Sequence, residues 1–137
     1  MQSEVEWQGK MHFVGKGSNE TTVSLDAPPA VGGEDNGMRP KELLLQGLAG
    51  CTGMDVISIL QKMRLEPTLF RISVSAEMSD EHPKVFTSFH ITYTVGGDIP
   101  DDKLEKAINL SQDRYCGVTA MYRSFATVSH EVVRVES

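Results

Sequence analysis

An α+β fold in a single domain, residues 1–137, is predicted for this chain by three observations. A long apolar segment, from Pro40 to about Arg64, has the length and composition of a buried helix. The runs "FRISVSAEM" and "FTSFHITYTV" alternate apolar and polar side chains at the period of a strand. The elements run strands, long helix, hairpin, helices and a last strand, with no internal repeat and no linker.

Taken in order, "EVEWQGKMHFV" and "TTVSLDA" predict two short strands joined by the turn-rich "GKGSNE". "PPAVGGEDNGMRP" is a Pro/Gly loop without periodicity. Pro40 suits a first helical turn, and Glu42 complements the positive end of the helix dipole. Lys62 and Arg64 complement the other end, and Pro67 bars continuation. Leu43, Leu44, Leu45, Leu48, Val56, Ile57, Leu60 and Met63 cover nearly the whole circumference, which predicts burial on all sides. The two alternating runs flank the turn "SDEHPK" and predict an antiparallel hairpin with one wet face. Asp101 is expected to cap a second helix carrying Leu104, Ala107 and Ile108 on one stripe. A helical turn around Cys116 to Met121 and a strand in "ATVSHEVVRVE" complete the chain.

A helix of 25 residues would be roughly 37 Å long, whereas a compact chain of this size has a radius of gyration of only about 14 Å. One antiparallel sheet and one short helix cover two of its sides. A second copy of the chain is expected to cover the rest, giving a homodimer with this helix near the interface. A net charge of −6, with Lys and Arg scattered singly, argues against nucleic acid or an anionic membrane as partner. The chain shows no leader pattern and no apolar run near 18 residues, so a cytoplasmic protein is expected. His12, His82, His90 and His130 lack ligand spacing, and the glycine turns "VGGED" and "VGGDIP" lack a phosphate-loop pattern. Neither metal nor cofactor is expected.

The chemistry rests on two cysteines, Cys51 and Cys116, 65 residues apart. Cys51 lies in "LLLQGLAGCTGMDVISIL" with Gly47, Gly50 and Gly53 close around it. Each glycine costs a helix about 1 kcal/mol relative to alanine. Together they leave a groove through which a backbone, side chain or ligand can approach the sulfur; close helix packing explains them equally well. A thiol reacts as its thiolate: with a pKa of about 8.5 it is ~3% ionised at pH 7, with ~6 it is ~90% ionised. Asp55, one turn after Cys51 on the same face, disfavours a neighbouring thiolate when charged, and either orients Cys51 or faces an interfacial partner. Arg39, Lys10 and Lys16 are cations that folding could bring to it. Cys116 opens a helical turn and has the dipole in its favour. From the residues alone Cys116 is the easier thiolate, and which sulfur attacks stays open.

"RPKELLLQGLAGCTGMDVISILQKMR", followed by "RYCGVTAMY", resembles the OsmC/Ohr family of thiol-dependent hydroperoxide reductases, nearest to its OsmC-like redox branch. The resemblance covers most of the chain. It implies an intertwined homodimer with long cysteine helices packed centrally, sheets outside, and sites built from both chains. It implies that Cys51 attacks organic hydroperoxides, and hydrogen peroxide as well, to give a sulfenic acid that Cys116 resolves as a disulfide. An external dithiol of lipoyl type, or another thiol, is the implied reductant. Loose matching places Lys10 and Lys41 where well-studied peroxidases of the family carry an activating arginine and glutamate. Arg39 and Glu42 are the candidates to replace that pair. The alternative is a non-catalytic dimer that binds a small hydrophobic or electrophilic ligand in the groove beside the helix glycines.

Overall fold

The structure is a computed structural model that describes residues 1–136. They fall into two compact units, Met1–Leu44 and the chain from Leu45 onward.

The first unit is a three-stranded antiparallel sheet, β1 (Glu4–Trp7), β2 (Phe13–Lys16) and β3 (Thr22–Leu25), in that order. The segment read as one strand over 4–14 is therefore a hairpin. Gly9 (φ 106°) and Lys10 (φ 49°) turn the chain in the left-handed region, and "QGK" was the turn signal within the run. The following loop is ordered around Asp26, whose carboxylate accepts the backbone N–H groups of Ala27, Glu34 and Asn36 at 2.7, 3.3 and 3.1 Å. Those bonds, Ala27 first, hold its carboxyl below the usual range.

Helix α1 (Pro40–Lys62) begins with Pro40 in its first turn, as expected. It ends two residues before Arg64, which takes a positive φ of 60° while the Leu65 N–H bonds the Leu60 carbonyl at 2.9 Å. That is a Schellman-type stop with arginine in the position glycine usually holds. By length and composition α1 is apolar enough to cross a membrane, a run the sequence reading did not count. Its buried residues are those of a core helix on one side: Leu48, Thr52, Gly53, Val56 and Leu60. Burial all round is not met within one chain.

In the second unit β4 (Leu69–Met78) pairs antiparallel with β5 (Phe86–Gly96), from Leu69 opposite Gly96 to Met78 opposite Phe86. The hairpin thus forms as predicted. Strand β6 (Thr127–Val135) then lies parallel to β5, which makes the sheet mixed and β5 its centre. A parallel return needs a long crossover. Here it consists of α2 (Asp101–Leu110), a π-helical turn (Ser111–Tyr115) and α3 (Gly117–Arg123). Asp101 is the first residue of α2 rather than its cap, and it pairs with Arg134 at 2.7 Å. The core joins Phe89, Ile91, Tyr93 and Val95 of β5 to Leu48, Val56 and Leu60 of α1 and to Leu104, Ala107 and Ile108 of α2. Every second residue of β5 is buried because it is the central strand of a half-covered sheet.

Candidate active site

Two local devices bring the cysteines together. On α1, Cys51 precedes Thr52, which sits with Leu48 and Val56 on the i, i+4 stripe that enters the core. On the crossover, the π-helical turn breaks the run of α2 so that Cys116 becomes the N-cap of α3. The side-chain ligand atoms of Cys51, Asp55 and Cys116 all lie within 4.8 Å of one another. Both cysteines are free thiols.

Their surroundings differ. Cys51 is half-buried, whereas Cys116 is 3% exposed and belongs to the hydrophobic core. The Cys116 sulfur accepts the Thr119 N–H at 3.4 Å, a cap interaction that favours the thiolate. Burial nevertheless pushes the Cys116 thiol up, and the adjacent Cys51 sulfur adds to the rise. The expectation that the helix dipole favours Cys116 as a thiolate is not met: the apolar surroundings outweigh one short helix terminus.

A buried polar network braces the site. Thr52 Oγ1 lies 2.7 Å from both the Tyr93 hydroxyl and the Ser111 hydroxyl. Gln112 Nε2 donates to Tyr93 OH at 2.9 Å and to Thr52 Oγ1 at 3.1 Å. Ser111 donates to Asp55 Oδ2 at 2.9 Å, so the network ends on the carboxylate beside the two sulfurs. Burial raises the Tyr93 hydroxyl pKa, so it stays protonated and available to donate. Sequence reasoning missed Thr52, Ser111 and Gln112, and read Tyr93 only as a strand residue. The available signal was Thr52 itself, a hydroxyl on the inward stripe of an otherwise apolar helix.

Asp55 also lines an open cavity of about 470 Å³ with Ile59, Lys62, Leu110 and Tyr115. On the outer side of α1 a shallow groove of about 510 Å³ runs past Gly50, Gly53, Met54 and Ile57 to Phe70 and Ile72. Arg39 and Glu42 lie in the first unit. The Arg39 guanidinium pairs with Asp35 and donates to the Asp26 carbonyl at 3.3 Å. Glu42 accepts the Arg39 N–H at 2.9 Å, half of a capping box at the start of α1. Lys10 pairs with Glu34 at 3.5 Å.

A family model described as "OsmC-like protein" matches residues 33–131. The protein YhfA of Escherichia coli (strain K12) is 29% identical over 131 residues, 95% of each chain. A hypothetical protein from Aquifex aeolicus VF5 superimposes with a TM-score of 0.81 at 31% identity, covering 98% of this chain and 96% of that one. The organic hydroperoxide resistance protein OhrB of Bacillus subtilis superimposes with a TM-score of 0.64 at 18% identity, over 96% and 98% of the two chains.

Proposed function

The chain belongs to the OsmC-like family, and on that premise we propose that it is a cysteine-based, thiol-dependent peroxidase that reduces organic hydroperoxides. The observation that carries the reading is the pairing of two free thiols from distant elements, one half-buried and one sealed. Cys51 is the attacking sulfur because it is the accessible one. Cys116, held as a neutral thiol by burial, is the resolving one.

In the first step the Cys51 thiolate attacks a peroxide oxygen and the O–O bond breaks. Sulfur keeps one oxygen as a sulfenic acid, and the other leaves as alkoxide, which takes a proton to become the alcohol. Cys116 then attacks the Cys51 sulfur. The S–O bond breaks, an S–S bond forms, and hydroxide leaves with the thiol proton as water. An external dithiol, of lipoyl type or another class, reduces the bridge and is itself oxidised to a disulfide. In this reading Arg39 and Glu42 stand in for the activating arginine and glutamate of the family's well-studied peroxidases, whose positions Lys10 and Lys41 hold here. The protein works as a cytoplasmic homodimer, with the second copy lying against the outer side of α1. The exposed groove there and the small share of α1 that one chain buries support that arrangement.

The test is exposure of the reduced protein to cumene hydroperoxide, with thiol counting and peptide mass analysis. Loss of both thiols within minutes, with a Cys51–Cys116 bridge, is expected. Persistence of both at unaltered reactivity ends the peroxidase reading. The outer groove also favours a second function, capture of a small hydrophobic or electrophilic ligand. Cys51→Ser separates the two: peroxide turnover vanishes under the first, whereas ligand affinity survives under the second.

A further inference from the structure

We propose that the reduced pair Cys51 and Cys116, together with Asp55, is a binding site for a borderline-soft divalent cation of the zinc class. Three potential ligand atoms, two sulfurs and a carboxylate oxygen, lie within 4.8 Å of one another. In a tetrahedral zinc site, bonds of about 2.3 Å to sulfur and about 2.0–2.2 Å to oxygen set ligand atoms roughly 3.5–3.8 Å apart. Small side-chain rotations close that difference. Two thiolates in the set select zinc-class ions and disfavour magnesium and calcium, which take oxygen ligands. Three protein ligands leave a fourth position open, and Asp55 also borders an open cavity with Leu110 and Tyr115.

The atoms behind the ligands suit the assignment. Ser111 donates to Asp55 Oδ2 and fixes the carboxylate beside the sulfurs. The Thr119 N–H supports the Cys116 sulfur. Such outer contacts orient metal ligands. Binding displaces the thiol protons, and the divalent charge then offsets the negative charge of the thiolate ligands. Because a disulfide removes both sulfur ligands, the site exists only in the dithiol state. It shares its cysteines with the proposed peroxidase but needs no peroxide chemistry.

The experiment is an anaerobic titration of the reduced full-length protein with Co²⁺, followed by displacement with Zn²⁺. We expect one ion per chain, a sulfur-to-cobalt charge-transfer band and the intense visible bands of tetrahedral cobalt. Cys51→Ser and Cys116→Ser should each weaken the charge-transfer band and the affinity. Asp55→Asn should weaken Zn²⁺ binding at least about tenfold, and Ser111→Ala about tenfold, since outer-shell losses cost 10- to 100-fold. Circular dichroism of each variant checks that it folds. Absence of the charge-transfer band, or Zn²⁺ affinity unchanged in Asp55→Asn, overturns the site. A protein that turns over peroxide yet binds no cobalt loses this site and keeps the peroxidase reading; one that binds cobalt but ignores peroxide does the reverse.

Discussion

Between Leu45 and Lys62 the two sides of α1 are built from opposite materials. The inward side carries Leu48, Thr52, Val56 and Leu60 at helical spacing, all 0% exposed. The outward side carries Gly47, Gly50 and Met54, with Met54 77% exposed. The glycines divide the same way. A Cβ on Gly53 would lie 2.7 Å from Ile72 Cδ1, so this glycine admits the sheet, whereas a Cβ on Gly47 or Gly50 would meet nothing within 4 Å. One residue type thus serves a contact already made and a surface still open. The comparison teaches that composition announces close approach without saying what approaches.

The inward side is where substitutions should cost most. Leu48→Ala is expected to lower stability by about 2–5 kcal/mol in urea unfolding, because a fully buried leucine leaves a cavity. A loss under about 1 kcal/mol would show that this side repacks freely. Thr52→Val should cost about 1–3 kcal/mol by leaving the buried Tyr93, Ser111 and Gln112 groups short of a partner. It should also slow bridge formation between the cysteines, since Ser111 holds Asp55 beside them.

On the outward side, Met54→Glu should leave chain stability nearly unchanged and weaken self-association at least about tenfold, equivalent to 1.4 kcal/mol, by sedimentation. An unchanged association constant would mean that no second copy uses this face. The smallest effect concerns pH. Burial raises the Cys116 pKa above its ordinary value, so the fold favours the neutral thiol. That stabilisation is fully present below the ordinary value and is lost as pH climbs through the raised one. Urea midpoints measured on either side of the ordinary value should fall with rising pH, and Cys116→Ser should flatten the decline. A wild-type profile as flat as the variant's would contradict the burial of this thiol.

Much of the fold was legible locally. The Pro40 start and the β4–β5 hairpin follow from helix-end chemistry and from alternation, which depend on neighbours in sequence, while the helix ends at Lys62, two residues short of the expected Arg64. The misread stretch, Glu4 to Val14, has continuous strand-forming character, so the Gly9–Lys10 turn was outvoted by its flanks. The parallel pairing of β6 carries no local mark, because direction depends on how the crossover returns. Within the site, Cys51 and Cys116 were legible as the candidate thiols, whereas Ser111 and Gln112 sit in a π-helical turn that no periodicity announces.

What the sequence by itself determined is the inventory: an apolar rod notched by glycines, two thiols, one carboxylate a turn beyond the first, and the local rules that start and stop each element. What only the tertiary structure decided is the meeting of sulfurs 65 residues apart, and the burial that favours Cys116 as a neutral thiol. The physical reason is that backbone periodicity acts over a few residues, whereas desolvation acts through every atom packed around a group, and those atoms come from the whole chain.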